Sequence, residues 1–387
     1  MPVGRGVLLR LTASKSVANT GARWVPFFLF VLADAFDTTT TTLTLIIGLG
    51  EMAGLGSLLV GGHLDRGREQ TILVLSMVLV SGSGVIALGG TIVTFAVSFV
   101  LVMAGGALST VAGHAWLSQR VSFEHRGRVI GTFEMSWASA LVIGAPVAAL
   151  LIEWFGWRGP FALIAVGGAV MAITIARLSA DGDAADPLPV KDSPRRLDRR
   201  AAFGILMSAA TAVSGLATIV VVGTWLEEVF GISTGGVGFT AMAFGCAELL
   251  ASGSSARFSD QLGKVRTTGA AHLLTIVGLL VMLTADGRLA VAVAGLALFF
   301  VGFEYAIVTS FTIVSEAAPD ARGRAIATNT AVGTVARGAG AVASGFLFDA
   351  HGIAGPATLS AIAAAAALGL LIVGDRRRDP AITDPSR

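Results

Sequence analysis

Six ionisable side chains stand inside long apolar stretches of this 387-residue chain: Arg23, Glu51, Glu134, Glu248, Glu304 and Arg337. A charge at the centre of a membrane helix costs at least about 2.5–3.5 kcal/mol, which makes such residues the first candidates for function. Glu51 and Glu248 occupy related settings, Gly-Glu-Met-Ala-Gly and Ala-Glu-Leu-Leu-Ala, 197 positions apart. Glu304 lies in Gly302-Phe303-Glu304-Tyr305, beside the only tyrosine of the chain. Arginine and glutamate at this depth suit proton exchange. The expected arrangement balances an arginine against a glutamate within each half, Arg23 with Glu51 and Arg337 with Glu304 or Glu248. A pair that separates during a conformational change alters its affinity for a proton. The alternative is a permanent structural ion pair. Glu134 is expected to have a local role near the turn carrying Arg126 and Arg128.

Other chemistries find no support. The sequence has no phosphate-binding P-loop, no Gly-x-Ser-x-Gly and no Cys-His arrangement. The lone Cys246 excludes a disulfide framework and a cysteine-based metal cluster. His63, His114, His125, His272 and His351 lack partners at metal-ligand spacing. An ATP-driven pump and a hydrolase are therefore disfavoured, and no enzyme, cofactor or metal is expected. Trp24, Phe27, Phe28 and Phe30, with Trp116 and Trp137, read as core or lipid-facing aromatics before they read as a substrate cage.

What must position the six residues is a set of membrane helices. Apolar residues make up 54% of the chain and charged residues 13%, half the charged share of a soluble domain, with mean hydropathy +0.79. Apolar runs of about 20 residues recur along the whole length. Twelve spans are predicted near 8–35, 43–62, 71–92, 95–118, 128–152, 158–178, 201–226, 236–256, 267–285, 289–313, 324–348 and 354–374. The first is interrupted by Arg10, Lys15, Asn19 and Arg23 and is kept because basic side chains near an end can snorkel. It reads as a retained helix, with no cleavable leader. With the N-terminus in the cytoplasm, the outside loops hold only Arg158 and Arg288 of the arginines and lysines, so both termini are expected inside. The stretch 179–200, rich in Asp, Pro and Arg, is expected to be a cytoplasmic linker between an N-terminal six-helix bundle (1–178) and a C-terminal one (201–375), with a tail at 376–387.

The halves are copies. Residues 126–160 and 322–356 align without a gap at an offset of 196, from Arg126-Gly127-Arg128 against Arg322-Gly323-Arg324 to Gly159-Pro160 against Gly355-Pro356. The scaffold repeats and its charges do not. Arg337 stands where the first copy has Leu141, Thr330 where it has Glu134, and Val342 where it has Pro146.

Two short turns carry a family likeness. Gly61-Gly62-His63-Leu64-Asp65-Arg66-Gly67-Arg68 follows span two, and Asp260-Gln261-Leu262-Gly263-Lys264-Val265-Arg266 follows span eight. They resemble the loop motif G-x-x-x-D-[RK]-x-G-[RK]-[RK] of the major facilitator superfamily. Gly61, Asp65, Arg66, Gly67 and Arg68 match it with one residue fewer between Asp and Gly. Asp260, Gly263, Lys264 and Arg266 match with normal spacing. Twelve spans, the central linker, the Arg-Gly-Arg turns and the half-to-half similarity extend the resemblance over the whole chain. It implies two pseudo-symmetric six-helix bundles around a central cavity and alternating access by rocking. The loops then have a structural and conformational role and bind no substrate. Around Pro146, span five is partly similar to the Gly-Pro signature of antiporters, with Ala145 in place of the glycine. The other reading of Pro146 is a kinked, closely packed helix. Span four has no embedded arginine, which departs from many drug antiporters.

The sequence is therefore read as an all-helical membrane protein and a secondary active transporter of a small organic solute. Proton-coupled efflux is favoured because the resemblance is nearest to drug-exporter-like members. Uptake or facilitated diffusion of a sugar or organic acid is the runner-up, and a non-transporting sensor or scaffold comes third. The expected partners are a small-molecule substrate, protons and the lipid bilayer, with no nucleic acid, in a monomer. Short loops and richness in Ala, Gly and Arg suggest a bacterial plasma (inner) membrane.

Overall fold

The computed structural model describes residues 4–64, 66–121, 123–178, 197–319 and 321–376. Asp65, the linker residues 179–196 and the tail from 377 lie outside the described residues. All regular structure among the described residues is helical, and twelve helices are long and apolar enough to cross a membrane. In chain order they are Arg5–Ala35, Thr40–Leu64, Glu69–Ala87, Ile92–Arg120, Arg128–Phe155, Arg158–Ala176, Arg199–Phe230, Thr234–Ser254, Lys264–Leu283, Leu289–Ala317, Arg322–His351 and Ala354–Asp375. They are spans one to twelve below. The eighth helix continues to Leu262.

Short connections make successive spans antiparallel within each half, and the contact between Thr41 at the start of span two and Asp349 at the end of span eleven aligns the halves, so all odd-numbered spans run one way and all even-numbered spans the other. One end of the molecule, here the basic end, carries the first and last described residues, Gly4 and Arg376, and the Arg-Gly-Arg turns. The distal end carries the turns at Gly90, Gly156, Gly231, Gly287 and Gly352, each with positive φ. Gly156 (φ 66°) and Gly352 (φ 57°) are repeat-related and stop spans five and eleven in a conformation that suits only glycine.

Spans three, four and six pack together, as do nine, ten and twelve. The halves meet where span two packs on span eleven, span eight on span five, and span seven on span one. This contact runs inward from the distal end, where Thr41 Oγ1 donates to Asp349 Oδ2 at 2.5 Å. Glycines permit it. A Cβ on Gly48 would lie 2.5 Å from a Val342 methyl and 2.8 Å from the Gly338 carbonyl oxygen. On the other side of the molecule, a Cβ on Gly245 would lie 2.8 Å from Leu141 and Val142.

Span five is not a uniform helix. A π-helical segment, Ala140–Gly144, joins two α-helical parts, and the Ala145 N–H reaches back to the Ala140 carbonyl. Pro146 follows at once. Proline has no N–H to offer and its ring crowds the carbonyl four residues back, so the wider turn absorbs the break.

Candidate functional site

Spans one, eight and ten meet in two layers one helical turn apart. The upper layer is aromatic. Phe27 and Phe244 lie 6.2 Å apart between ring centroids, and Phe244 stacks on Phe300 at 4.0 Å with 9° between the planes. Span one runs toward the distal end, so four residues before Phe27 is one turn toward the basic end. Spans eight and ten run the opposite way, so four residues after Phe244 and Phe300 is the same step. Those positions are Arg23, Glu248 and Glu304. The lower layer is therefore ionic because the upper layer fixes the register.

Arg23 Nη1 donates to Glu248 Oε2 at 3.1 Å and to the Trp137 carbonyl oxygen at 2.7 Å. Its guanidinium lies over the Trp137 ring at 4.3 Å. Glu304 is 5% exposed and accepts no hydrogen bond from a described residue; it stands one turn below Phe300 as Glu248 stands one turn below Phe244. Two carboxylates and one cation thus share the layer, with Arg23 paired to Glu248, and with all three ionised the set carries one uncompensated negative charge.

A second ion pair crosses between the halves. Arg337 Nε donates to Glu51 Oε2 at 2.9 Å, and Arg337 Nη2 to Thr334 Oγ1 at 3.2 Å. The expected pairing within each half is thus corrected: Arg23 meets Glu248 and not Glu51, and Arg337 meets Glu51 and neither Glu304 nor Glu248. The repeat explains the exchange. Gly48 and Glu51 on span two correspond to Gly245 and Glu248 on span eight, and each glycine packs on the other half. Span eleven offers Arg337 to Glu51. Span five has Leu141 at the equivalent position, so Glu248 takes its cation from span one.

A third cluster was not foreseen. Lys15 Nζ and His114 Nε2 both lie 2.6 Å from Glu134 Oε1. Lys15 is 2% exposed and sits over the Phe133 ring at 4.5 Å, while His114 meets that ring edge-on. Next along span one, Asn19 Nδ2 donates to Ser136 Oγ at 3.3 Å. Glu134, expected to have a local role near the Arg126 and Arg128 turn, makes this contact across spans one, four and five; the Arg126 side chain lies outside the described residues. The signal was in the spacing: Lys15, Asn19 and Arg23 recur every fourth residue and so share one helix face. Reading those residues as snorkelling hid it.

The motif turns lie at the basic end, away from these layers. Gly61 opens the helical turn Gly61–Leu64, Arg66 and Arg68 are exposed, and Gly67 has φ 71°. Gly263 has φ 87°, Arg266 is exposed, and Lys264 pairs with Glu316. Asp65 lies outside the described residues. Asp260 is in the eighth helix, but its side chain lies outside the described set. Among the described residues no group of His, Cys, Asp and Glu is disposed to hold a metal.

The sequence model of the Major Facilitator Superfamily matches residues 16–319 and 201–387. An uncharacterised MFS-type transporter, YwfA of Bacillus subtilis, is 32% identical over 133 residues, which are 34% of this chain and 32% of that one. The match therefore spans about a third of the relative's length. The fold resembles an inward-facing bacterial homologue of the human lysosomal transporter Spinster (TM-score 0.72, 15% identity, 95% of each chain). It also resembles the D-xylose–proton symporter (TM-score 0.73, 15% identity, 93% of this chain and 96% of that one). The inward-open xylose transporter XylE of E. coli is similar as well (TM-score 0.75, 14% identity, 95% and 99%). At such identities the likeness is one of fold.

Proposed function

For a chain that belongs to the major facilitator superfamily, and so is a multi-pass membrane transporter and not an enzyme, we propose proton-coupled efflux of a small organic solute by alternating access. The moving bodies are the bundles 1–178 and 201–375. The observation that carries the reading is that both Arg–Glu pairs bridge the two halves, Arg23–Glu248 on one side and Arg337–Glu51 on the other. Rocking the bundles apart at the distal end has to break them. Chemistry placed at such a joint couples charge to conformation. The arginine asymmetry of the loops supports a cytoplasmic basic end, and in that orientation the described arrangement is the one closed to the outside.

Glu304 is the proton site in this scheme. Protonated, it leaves Arg23 and Glu248 a balanced pair under the aromatic layer, and the closed state is stable. Ionised, it leaves a buried charge without a counter-ion, which favours a state that opens the joint. Uptake of a metabolite has on its side the fold likeness to the D-xylose–proton symporter. Efflux is preferred for the partial Gly-Pro signature around Pro146.

Spin labels report the joint directly. Leu88→Cys and Thr284→Cys, in a Cys246→Ser background, place labels on exposed distal positions of the two halves. In lipid nanodiscs the distance distribution between them shifts to longer values as the pH rises. Glu304→Gln holds it short at every pH. An identical distribution across pH in the unsubstituted protein, or the same response in Glu304→Gln, overturns the assignment.

A further inference from the structure

Arg23 touches both halves and holds them unequally. A single nitrogen, Nη1, makes all of its hydrogen bonds to described residues. It donates to the Trp137 carbonyl oxygen at 2.7 Å, and to Glu248 Oε2 and Oε1 at 3.1 and 3.4 Å. A strong arginine–carboxylate pair uses two parallel N–H groups. Here the fork is not turned to Glu248, and the guanidinium lies over the Trp137 ring at 4.3 Å. A cation over the face of a tryptophan is attracted by the ring electrons, and the attraction grows as water is removed. The Arg23 side chain is 14% exposed. Span five thus offers Arg23 a ring and a short hydrogen bond, while span eight offers a longer contact through one nitrogen.

Span five is also the partner that span one keeps. Lys15 meets Glu134, Asn19 meets Ser136 and Ser16 meets Ser139, each joining spans one and five. The contact of Arg23 with Trp137 is a fourth link, and all four lie within the N-terminal half. Glu248 belongs to the C-terminal half, where span eight faces span five across the joint. When the halves separate, the link that breaks is the one to Glu248. Away from the helix ends, the other ionisable groups on helices packed against span one are His114 and Glu134, which hold Lys15, and Cys246 on span eight.

We propose that Trp137 is a positioning residue that keeps Arg23 on the N-terminal half when the joint opens. It takes the place of Glu248 as partner to a cation that water barely reaches. The open joint then carries Arg23 on one bundle and both carboxylates, Glu248 and Glu304, on the other. In the closed state Arg23 divides its charge between the ring and Glu248. In the open state the ring stands without that rival and contributes more. Weakening the ring therefore penalises opening, and Trp137 sets the pH at which the joint parts. This rests on the reading that the joint opens as Glu304 ionises.

Tryptophan analogues with successive fluorines, placed at position 137 alone, nearly keep the size of the ring and withdraw electrons from its face step by step. Spin labels at positions 88 and 284, in the Cys246→Ser background in nanodiscs, supply the readout. The midpoint pH of the distance change should rise with each fluorine, by about half a unit over the series. Trp137→Leu, which keeps the carbonyl and removes the ring, should raise it further. The fluorinated forms carry the test on their own if the leucine variant fails to fold. A midpoint that falls along the series places the ring's effect in the closed state and overturns the proposal. A midpoint that ignores the fluorines overturns it too, and leaves Glu304 as the proton site. A distance indifferent to pH in the protein with ordinary tryptophan removes both.

Discussion

Phe244 and Phe300 stack face to face at 4.0 Å, and four residues further along their parallel helices stand Glu248 and Glu304. The ring contact sets the register that brings two carboxylates to one arginine. Because either carboxylate can serve Arg23, single replacements should be mild. Glu248→Gln transfers the arginine to Glu304, and Glu304→Gln removes the unpaired acid; each is expected to cost no more than about 1 kcal/mol. The double replacement leaves Arg23 buried without a counter-ion, and losing a buried partner costs about 3–5 kcal/mol. Denaturant unfolding in mixed micelles should therefore show strong non-additivity between the two sites. Additive losses would mean that Glu304 does not share Arg23.

Arg337 and Glu51 should act as a latch between the halves. Arg337 is 39% exposed, which places removal of its charge near about 1–2 kcal/mol. Arg337→Gln and Glu51→Gln are each expected to lengthen the distance between labels at positions 88 and 284. The exchange Arg337→Glu with Glu51→Arg should restore the short distance. If the exchanged pair behaves like the worse single variant, the contact is one of packing and not of charge.

How far this arrangement was legible in the sequence depends on whether a feature belongs to one helix or to two. Twelve spans, the repeat and the buried positions of Glu51, Glu248 and Glu304 follow from apolar runs and offsets within the chain. The partners of Arg23 and Arg337 do not, because they lie on the opposite half, and a charge inventory taken half by half cannot see across. The offset did contain part of the answer. Arg337 aligns with Leu141, so Glu51 and Glu248 could not both find a base in equivalent places. Lys15 was legible too, as the start of a four-residue polar period with Asn19 and Arg23. It was passed over because a lysine near a helix end has an easier explanation in snorkelling.

The Lys15–Glu134 contact should be structural, since both partners belong to the N-terminal half. Lys15→Met leaves Glu134 with His114 alone and is expected to lower stability by about 1–3 kcal/mol. Adding Glu134→Gln should recover most of that loss, because an apolar side chain beside a neutral amide strands no charge. Unfolding measurements on the two variants decide it. The pH response of the distance between labels at positions 88 and 284 should be unchanged in both, since Lys15 and Glu134 pair with each other and not with Arg23, Glu248 or Glu304. A changed response would draw this cluster into the coupling.

The distal closure offers the last test. Gly223 on span seven sits so close to span one that a Cβ there would overlap the Phe27 carbonyl oxygen. That oxygen is backbone and cannot turn aside, so Gly223→Ala should force spans one and seven apart. Phe27 would then leave Phe244, and the register that holds Arg23 beside Glu248 would loosen with it. Labels at 88 and 284 should report a longer distance in this variant even at low pH. The reverse manipulation uses Thr41 and Asp349, whose side chains already meet at 2.5 Å. Thr41→Cys with Asp349→Cys, in the Cys246→Ser background and joined by a short bifunctional thiol reagent, should hold the distal end shut. Substrate-dependent proton movement in proteoliposomes should stop on cross-linking and return on its cleavage. Transport that continues with the cross-link in place would show that the bundles need not separate there at all.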